Sequence, residues 1–325
     1  DPPNHRLGGR LPGDEHIAPV KVVVEKAAAV AGPGHGSELL ANRRPKLPGG
    51  FRIPLGALLR EVDSDTLISA LKGLDNEQRE FFLVAMSSRA ADGKTTHLSH
   101  VMLNLMYAGQ RVCMASLEMK PAETMAKMCR QAAGTGSPAI GYIRDFHRWT
   151  DGRLWIYDHV GRVAAQRMLG VATYVRKELG MDQLVIDSLM KCGLGTDDYT
   201  AQRDFVDGLC AIARDTGLHI HLVCHMRKGE NERMAPGKFD VKGAGEVTDL
   251  VDNLLIVWKN LRKDANDGDE SEDKTPDAYV RIAKQRHHPW EGSFAYWFDR
   301  DSQQFLEAEW ARPTFIDVAQ QEQPA

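Results

Sequence analysis

The run Ser88-Arg89-Ala90-Ala91-Asp92-Gly93-Lys94-Thr95 lies between an apolar segment, Phe81-Phe82-Leu83-Val84-Ala85-Met86, and a helix-like stretch from Thr96 to Met106. A buried-type strand that passes through small residues into a helix turns successive backbone N–H groups, and the positive end of the helix dipole, toward one point. A polyphosphate fits that point. Lys94 is placed to reach its β- and γ-phosphates and the Thr95 hydroxyl to ligate Mg²⁺, with Ser88, Asp92, Gly93 and Thr96 completing the cradle. Ser88 stands where such loops usually have their first glycine; it is small enough for the loop but tightens it. The expected ligands are ATP or another NTP, and Mg²⁺.

The rest of the chain repeats the same grammar. Short apolar runs occur at Arg111-Val112-Cys113-Met114-Ala115, Leu154-Trp155-Ile156-Tyr157, Leu184-Val185-Ile186-Asp187, Ile220-His221-Leu222-Val223-Cys224, Leu254-Leu255-Ile256-Val257-Trp258 and Tyr279-Val280-Arg281-Ile282-Ala283. Amphipathic segments separate them. Continuous apolar strands with helices between them imply an α/β domain, a mainly parallel central sheet covered by helices on both faces. We place this domain at residues 51–312. Residues 1–50 are rich in Pro and Gly and read as a flexible linker or tail, in which Val22 to Ala31 is the one regular stretch, a short helix suited to docking on a neighbouring subunit. Residues 313–325 read as a C-terminal tail, disordered or partner-binding. The first residue is Asp rather than Met, which leads us to expect a piece of a longer protein with a further domain ahead of it.

Composition narrows the class. With 325 residues, 42% hydrophobic and 26% charged, the chain has enough apolar surface for a sizeable core. A formal net charge of -4 excludes a generally basic protein but not a nucleic-acid site confined to a few residues. No apolar run reaches the roughly 18 residues that span a bilayer, and no secretory signal is visible, so the expectation is an intracellular protein with no membrane partner. The five cysteines show no paired metal spacing and read as free thiols. The acidic stretch from Asp264 to Asp277 reads as a solvated loop.

Phosphate loops are generic, so the ends of the other strands discriminate. Asp187 closes Leu184-Val185-Ile186 and precedes Ser188, where a carboxylate can hold the water shell of Mg²⁺ beside Thr95 or simply cap the next helix. Glu118, in Ser116-Leu117-Glu118-Met119, can orient and deprotonate the water that attacks a γ-phosphate, or be a first-turn acid favoured by a helix dipole. His225, in Cys224-His225-Met226-Arg227-Lys228, can report a γ-phosphate or be a solvated loop residue. Lys284 and Arg286, at i and i+2 of Lys284-Gln285-Arg286, point the same way from an extended segment, toward one phosphate or merely toward solvent.

In order and content these strings resemble the RecA-fold ring helicases of the DnaB type, including the helicase half of bacteriophage and mitochondrial primase-helicases. Ser116-Leu117-Glu118-Met119 is similar to the family's catalytic-glutamate motif, Leu184 to Ser188 to its Mg²⁺ aspartate strand, and Cys224-His225-Met226-Arg227-Lys228 to its phosphate-sensing histidine motif. Lys284-Gln285-Arg286 is similar to the pair that a neighbouring subunit inserts into the ATP site. The resemblance runs from Ile53 to Glu307. It implies a RecA-like P-loop NTPase domain in a replicative helicase, of phage or cellular origin, which translocates on single-stranded DNA as a ring, a homo-hexamer, with primase and a helicase loader as partners. In such proteins a loop ahead of the fifth strand lines the pore; Asp240-Val241-Lys242-Gly243-Ala244-Gly245-Glu246 occupies that place, and Lys242, Gly243 and Gly245 are the candidate DNA contacts. The glycines suit close approach of backbone to a phosphodiester and equally suit an ordinary loop. Asp249 departs from the pattern, since the family often has a γ-phosphate-contacting Gln there.

Two other classes fit the same residues. One is a RecA-like recombinase or repair ATPase, which forms filaments rather than rings. The other is a nucleotide-gated assembly or helicase-loading module, which would not need the catalytic carboxylate of Glu118.

Overall fold

The computed structural model describes residues 22–23, 83–88 and 93–319, except 196, 228–235, 244, 265–273 and 287–290; the first two segments are described by their backbone alone. The helical pattern between Leu55 and Leu71 and the loop residues Arg89 to Asp92 lie outside the described residues.

Among the described residues, ten strands form one sheet in the order β1-β4-β3-β5-β6-β2-β7-β8-β9-β10. They are β1 (Val22–Val23), β2 (Leu83–Ser88), β3 (Val112–Ser116), β4 (Leu154–Tyr157), β5 (Gln183–Asp187), β6 (His219–His225), β7 (Asn253–Lys259), β8 (Ala278–Gln285), β9 (Gly292–Asp299) and β10 (Gln304–Leu306). From β1 to β7 every pairing is parallel, and β7 to β10 pair antiparallel. The sheet is thus mainly parallel, with an antiparallel extension. That extension contains two strands absent from the sequence reading, β9 and β10.

Alternation sorts the strand residues onto two faces. Cys113, Ala115, Leu184, Ile186, Ile220, Leu222 and Cys224 belong to one buried cluster, while Val112, Met114, Val185 and Val223 belong to the other. Helices cover both: α1 (Lys94–Tyr107), α2 (Pro121–Ala133) and α3 (Ile140–Thr150) supply Met102, Met128 and Phe146 to the second cluster, and α4 (Ala165–Lys177) and α5 (Tyr199–Thr216) supply Met168 and Phe205 to the first. A side chain of this kind contributes about 1.5–3 kcal/mol when fully buried. Two short helices follow, α6 (Gly245–Leu250) and α7 (Leu261–Asp264).

Local signals explain where helices start. Pro121 opens α2, where its missing N–H costs nothing, and the Glu123 carboxylate accepts from the Lys120 N–H at 3.4 Å. Asp198 caps α5, accepting from the Ala201 N–H at 3.0 Å.

Two expectations need correction. Val22–Val23 is not helical but pairs in parallel with Ile156 and Tyr157 at the β4 edge; three consecutive valines favour a strand because branching at Cβ stiffens χ1. The stretch expected as a C-terminal tail is packed through Val318. Ile316 is 9% exposed and Val318 5% exposed, the Ile316 N–H donates to Ala132 O at 2.8 Å, and the Tyr142 hydroxyl donates to Ile316 O at 2.9 Å. Two apolar residues at i and i+2 of an extended segment suffice to bury one side of it. Within the acidic stretch, Asp277 is not merely solvated: it pairs with Lys263 at 2.9 Å and accepts from the Phe298 N–H at 2.8 Å. All five cysteines are free, and only Cys210 is not buried.

Candidate active site

Register brings the candidate residues to one edge. Ser88 pairs with His225, Asp187 with Ser116 and with Val223, and β2 lies between β6 and β7. The chain leaves β2 for β3, on the far side of β6 and β5, so the strand ends open a crevice beside the start of α1. Gly93 makes that start. It has φ 83°, and a Cβ on it would stand 3.1 Å from Phe305 Cζ. Glycine alone occupies this left-handed conformation without strain.

Lys94 is 8% exposed, and its Nζ stands 3.2 Å from His225 Nδ1. The Thr95 hydroxyl donates to Asp187 Oδ2 at 2.5 Å. Ser188 Oγ lies 3.3 Å from His225 Nε2 and 3.5 Å from Glu118 Oε1, and His225 Nε2 is 4.0 Å from Glu118 Oε1. The Leu117 N–H donates to Asp187 O at 2.8 Å, which ties the Glu118 turn to the end of β5. Lys94, Thr95, Glu118, Asp187 and His225 therefore form one connected group, with Ser188 between them.

The electrostatics follow from burial. Asp187 is 4% exposed, and desolvation raises its pKa, opposed by the Thr95 hydrogen bond and by Lys94 and Lys127. His225 is pushed down by burial and then by Lys94, so its imidazole is neutral at neutral pH. A buried carboxylate held on a threonine hydroxyl fits Mg²⁺, which keeps several waters and takes few protein ligands. No group of three or more His, Cys, Asp or Glu residues that would hold a metal by itself occurs among the described residues.

Lys127 is the residue that sequence reasoning missed. It projects from α2, and its Nζ donates to Thr96 Oγ1 at 3.4 Å and to Met119 Sδ at 3.7 Å. Burial pulls its pKa down, and Asp187 partly restores it. This half-buried ammonium, on a hydroxyl and a thioether, is a cation beside Thr96 and within electrostatic reach of Asp187. In sequence, Glu123 and Lys127 have the spacing of an ordinary surface ion pair on a helix, which hides the lysine's place beside the site. The seam between α1 and α2 reveals it: Gln131 accepts from the Ser99 hydroxyl at 2.8 Å and donates to Thr96 O at 2.9 Å.

Lys284 and Arg286 stand elsewhere. Val84 of β2 pairs with Asn253 and Asn253 with Gln285, so the cations sit at the edge opposite His225. From the Val84 row to the Ser88 row is about 13 Å at about 3.3 Å per residue. Lys284 Nζ donates to Thr248 O at 2.9 Å and to Asp249 O at 2.7 Å. Arg286 donates to Leu250 O at 3.1 Å and Asp249 O at 3.3 Å and pairs with Asp252 at 2.7 Å.

The candidate DNA loop is tied to the end of β6. The Lys242 N–H donates to His225 O and the Arg227 N–H to Asp240 O, both at 2.7 Å, and Met226 bridges Val241. Gly243 has φ 127°, and a Cβ on it would meet Gln202 Oε1 at 2.8 Å, so its close approach is to α5; among the described residues nothing lies within 4 Å of such an atom on Gly245. Ser88 ends β2 beside His225, and Asp92 lies outside the described residues.

Over 260 residues the chain is 25% identical to the DNA helicase/primase of Enterobacteria phage T3, covering 70% of this chain and 46% of that protein. Its fold is similar to that of a DnaB-like replicative helicase solved in a study of its interactions with primase, with TM-score 0.57 and 17% identity over 70% of this chain and 57% of the other. It is also similar to a second solved structure, an ATPase domain, with TM-score 0.59 and 19% identity over 71% of this chain and 86% of the other. The chain thus spans about half the length of the phage protein it matches. The RecA-like fold is that of these structures, and residues 63–307, well over half of the sequence, match the family described as the DnaB-like helicase C terminal domain, to which this chain belongs.

Proposed function

We propose that this chain is the motor domain of an ATP-dependent DNA helicase that works as a ring, a homo-hexamer, on single-stranded DNA during replication. The observation that carries the reading is the division of the site. Lys94, Thr95, Glu118, Asp187 and His225 meet at one sheet edge, while Lys284 and Arg286 stand at the other. No single copy can join the two halves; adjacent copies in a closed ring can.

ATP is the substrate. Lys94 and the Gly93 turn hold its phosphates, and Lys127 adds a cation beside Thr96. Thr95 and Asp187 would hold Mg²⁺, which offsets charge on the β- and γ-phosphates. Glu118 accepts a proton from water as the water oxygen bonds to the γ-phosphorus and the bond to the ADP oxygen breaks, releasing ADP and phosphate. His225 donates from Nε2, because Lys94 occupies Nδ1. Arg286 and Lys284 of the adjacent copy neutralise charge on the transferring group, an effect worth about 10³ to 10⁵ in rate. Lys242 and the backbone at Gly243 and Gly245 contact the DNA strand, and because Lys242 N–H is bonded to His225 O, loss of the γ-phosphate shifts the loop directly. Primase and a helicase loader are the partners such a motor would need.

The test is steady-state ATP hydrolysis with and without single-stranded DNA, alongside the mass of the assembly at the same concentration. DNA-stimulated hydrolysis in a ring-sized particle, lost in Glu118→Gln, supports the motor. Hydrolysis indifferent to DNA and to Glu118→Gln would sink it in favour of an assembly module, and filaments in micrographs would favour a recombinase.

A further inference from the structure

Helix α6 links two parts of the proposed machine. Its first residue, Gly245, follows the loop that is bonded to His225 through Lys242, and its last carbonyls, at Thr248, Asp249 and Leu250, are held by Lys284 and Arg286. Six residues of helix span about 9 Å. The last carbonyls of a helix have no partner within it and carry its negative dipole end, so two cations placed there are held electrostatically as well as by hydrogen bonds. Their crowding is visible in Lys284, whose pKa is lowered by burial and by Arg286.

Asp252 completes the seat. Its side chain is 8% exposed against 45% for Arg286, and the pair closes at 2.7 Å. Its backbone carbonyl accepts from the Arg286 N–H at 2.8 Å, so main chain and guanidinium are held by the same residue. Arg286 thus presents one edge of its guanidinium to Asp252 and another to α6, which fixes the direction of a side chain that otherwise has many rotamers.

On the reading given above, we propose that Asp252 is a positioning residue for the finger Arg286, holding it in a seat shared with the end of α6 so that the stand of the DNA loop sets the reach of the finger into the adjacent copy's site. Asp252 touches no phosphate. It acts through Arg286, and its effect appears in a neighbour's turnover rather than in its own nucleotide binding.

The experiment uses the full chain in its assembled form. Asp252→Asn is expected to lower kcat for DNA-stimulated hydrolysis by about 10²-fold, the scale of an ångström-level misplacement, with KM within about twofold because ground-state binding is untouched. Assembly mass stays the same. Adding Asp252→Asn to Arg286→Ala causes no further loss, and mixing Asp252→Asn subunits with Lys94→Ala subunits restores hydrolysis, because the latter supply intact fingers to the former's intact sites. A further loss in the Arg286→Ala background, or no recovery on mixing, would overturn the proposal and make Asp252 a residue of its own subunit's fold. If Asp252→Asn does not fold, Asp252→Glu, which keeps the charge and moves it by one methylene, is read by the same double variant and the same mixing. Wild-type turnover by Arg286→Ala alone would remove the finger reading itself, a failure distinct from failure of the Asp252 assignment.

Discussion

Lys94 Nζ stands 3.2 Å from Nδ1 of His225, a contact that suits one tautomer of the imidazole. An ammonium has only protons to offer, so Nδ1 is the acceptor and Nε2 carries the ring proton, facing Ser188 Oγ at 3.3 Å and Glu118 at 4.0 Å. A neutral histidine thus sits between Lys94 and the candidate base Glu118. His225→Ala should leave nucleotide affinity within a few-fold and lower kcat by about 10²-fold, the ordinary worth of one positioned donor. Equal turnover by the variant in a single-turnover assay would remove His225 from the mechanism.

Asp187 should show opposite effects on stability and activity. Burial raises its pKa despite the opposing Lys94 and Lys127, so ionising it costs the folded state stability. The sign follows from linkage: with the folded pKa above the unfolded one, the folded carboxyl holds its proton longer, and stability declines as pH rises through that range. Asp187→Asn removes the charge while its amide oxygen still accepts from Thr95. We expect the nucleotide-free variant to melt higher than wild type at pH 7 and to hydrolyse at least about 10²-fold more slowly. A lower melting temperature would show that the carboxylate is structural.

Lys127→Met tests the cation on α2. Methionine fills the stem's volume without the charge, and the ammonium is half-buried on a hydroxyl and a thioether. Stability should stay within about 1 kcal/mol or rise, and kcat should fall about 10-fold or more. Unchanged kcat and KM would reduce Lys127 to a packing residue.

Acid should unfold the domain through its buried imidazoles. His97 and His221 have pKa values lowered from 6.5 to about 3, in both cases chiefly by burial. In the unfolded chain they take up protons as pH falls through 6.5, while the folded ones do not until about 3, so stability is lost steadily across that window. Among the described residues, His97 Nδ1 is buried without a hydrogen-bond partner, against Tyr296 and Phe305. His97→Leu should therefore be close to neutral at pH 7 and flatten the acid side of a melting-temperature profile. An unchanged acid limb would place the titration elsewhere.

Gly93→Ala should abolish nucleotide binding while the sheet remains intact. The residue has φ 83°, and a methyl group would press on Phe305 at 3.1 Å. A left-handed non-glycine residue costs roughly 1–2 kcal/mol, enough to deform the turn but not to unfold the domain. Circular dichroism together with nucleotide titration separates these outcomes.

Strands β3, β5, β6 and β7 were legible in the sequence because a strand buried on both faces has to be apolar throughout; β8 was legible as an apolar run although it alternates and exposes Arg281, and the turn before α1 was legible in the string Gly93-Lys94-Thr95. The order of the candidates along the chain was legible too, through Glu118, Asp187 and His225 at strand ends. β9 was missed although Phe294, Tyr296 and Phe298 alternate along it; such alternation declares itself only once Phe305 packs against Phe298 and Tyr296. Lys127 and Asp252 were missed because a lysine on an amphipathic helix and an aspartate before a strand have ordinary surface readings.

Local chemistry along the chain, then, determined the type of most elements: apolar runs decide strand, amphipathic periodicity decides helix, and the Gly-Lys-Thr string decides the left-handed turn that opens α1. Which elements become neighbours was decided only in three dimensions. Strand order β3-β5-β6-β2 brings Glu118, Asp187, His225 and Lys94 to one edge, and the reversal at β8 carries Lys284 and Arg286 to the other. The physical reason is that pairing and packing act between segments far apart in sequence, and no property of a single segment specifies its partner across the sheet.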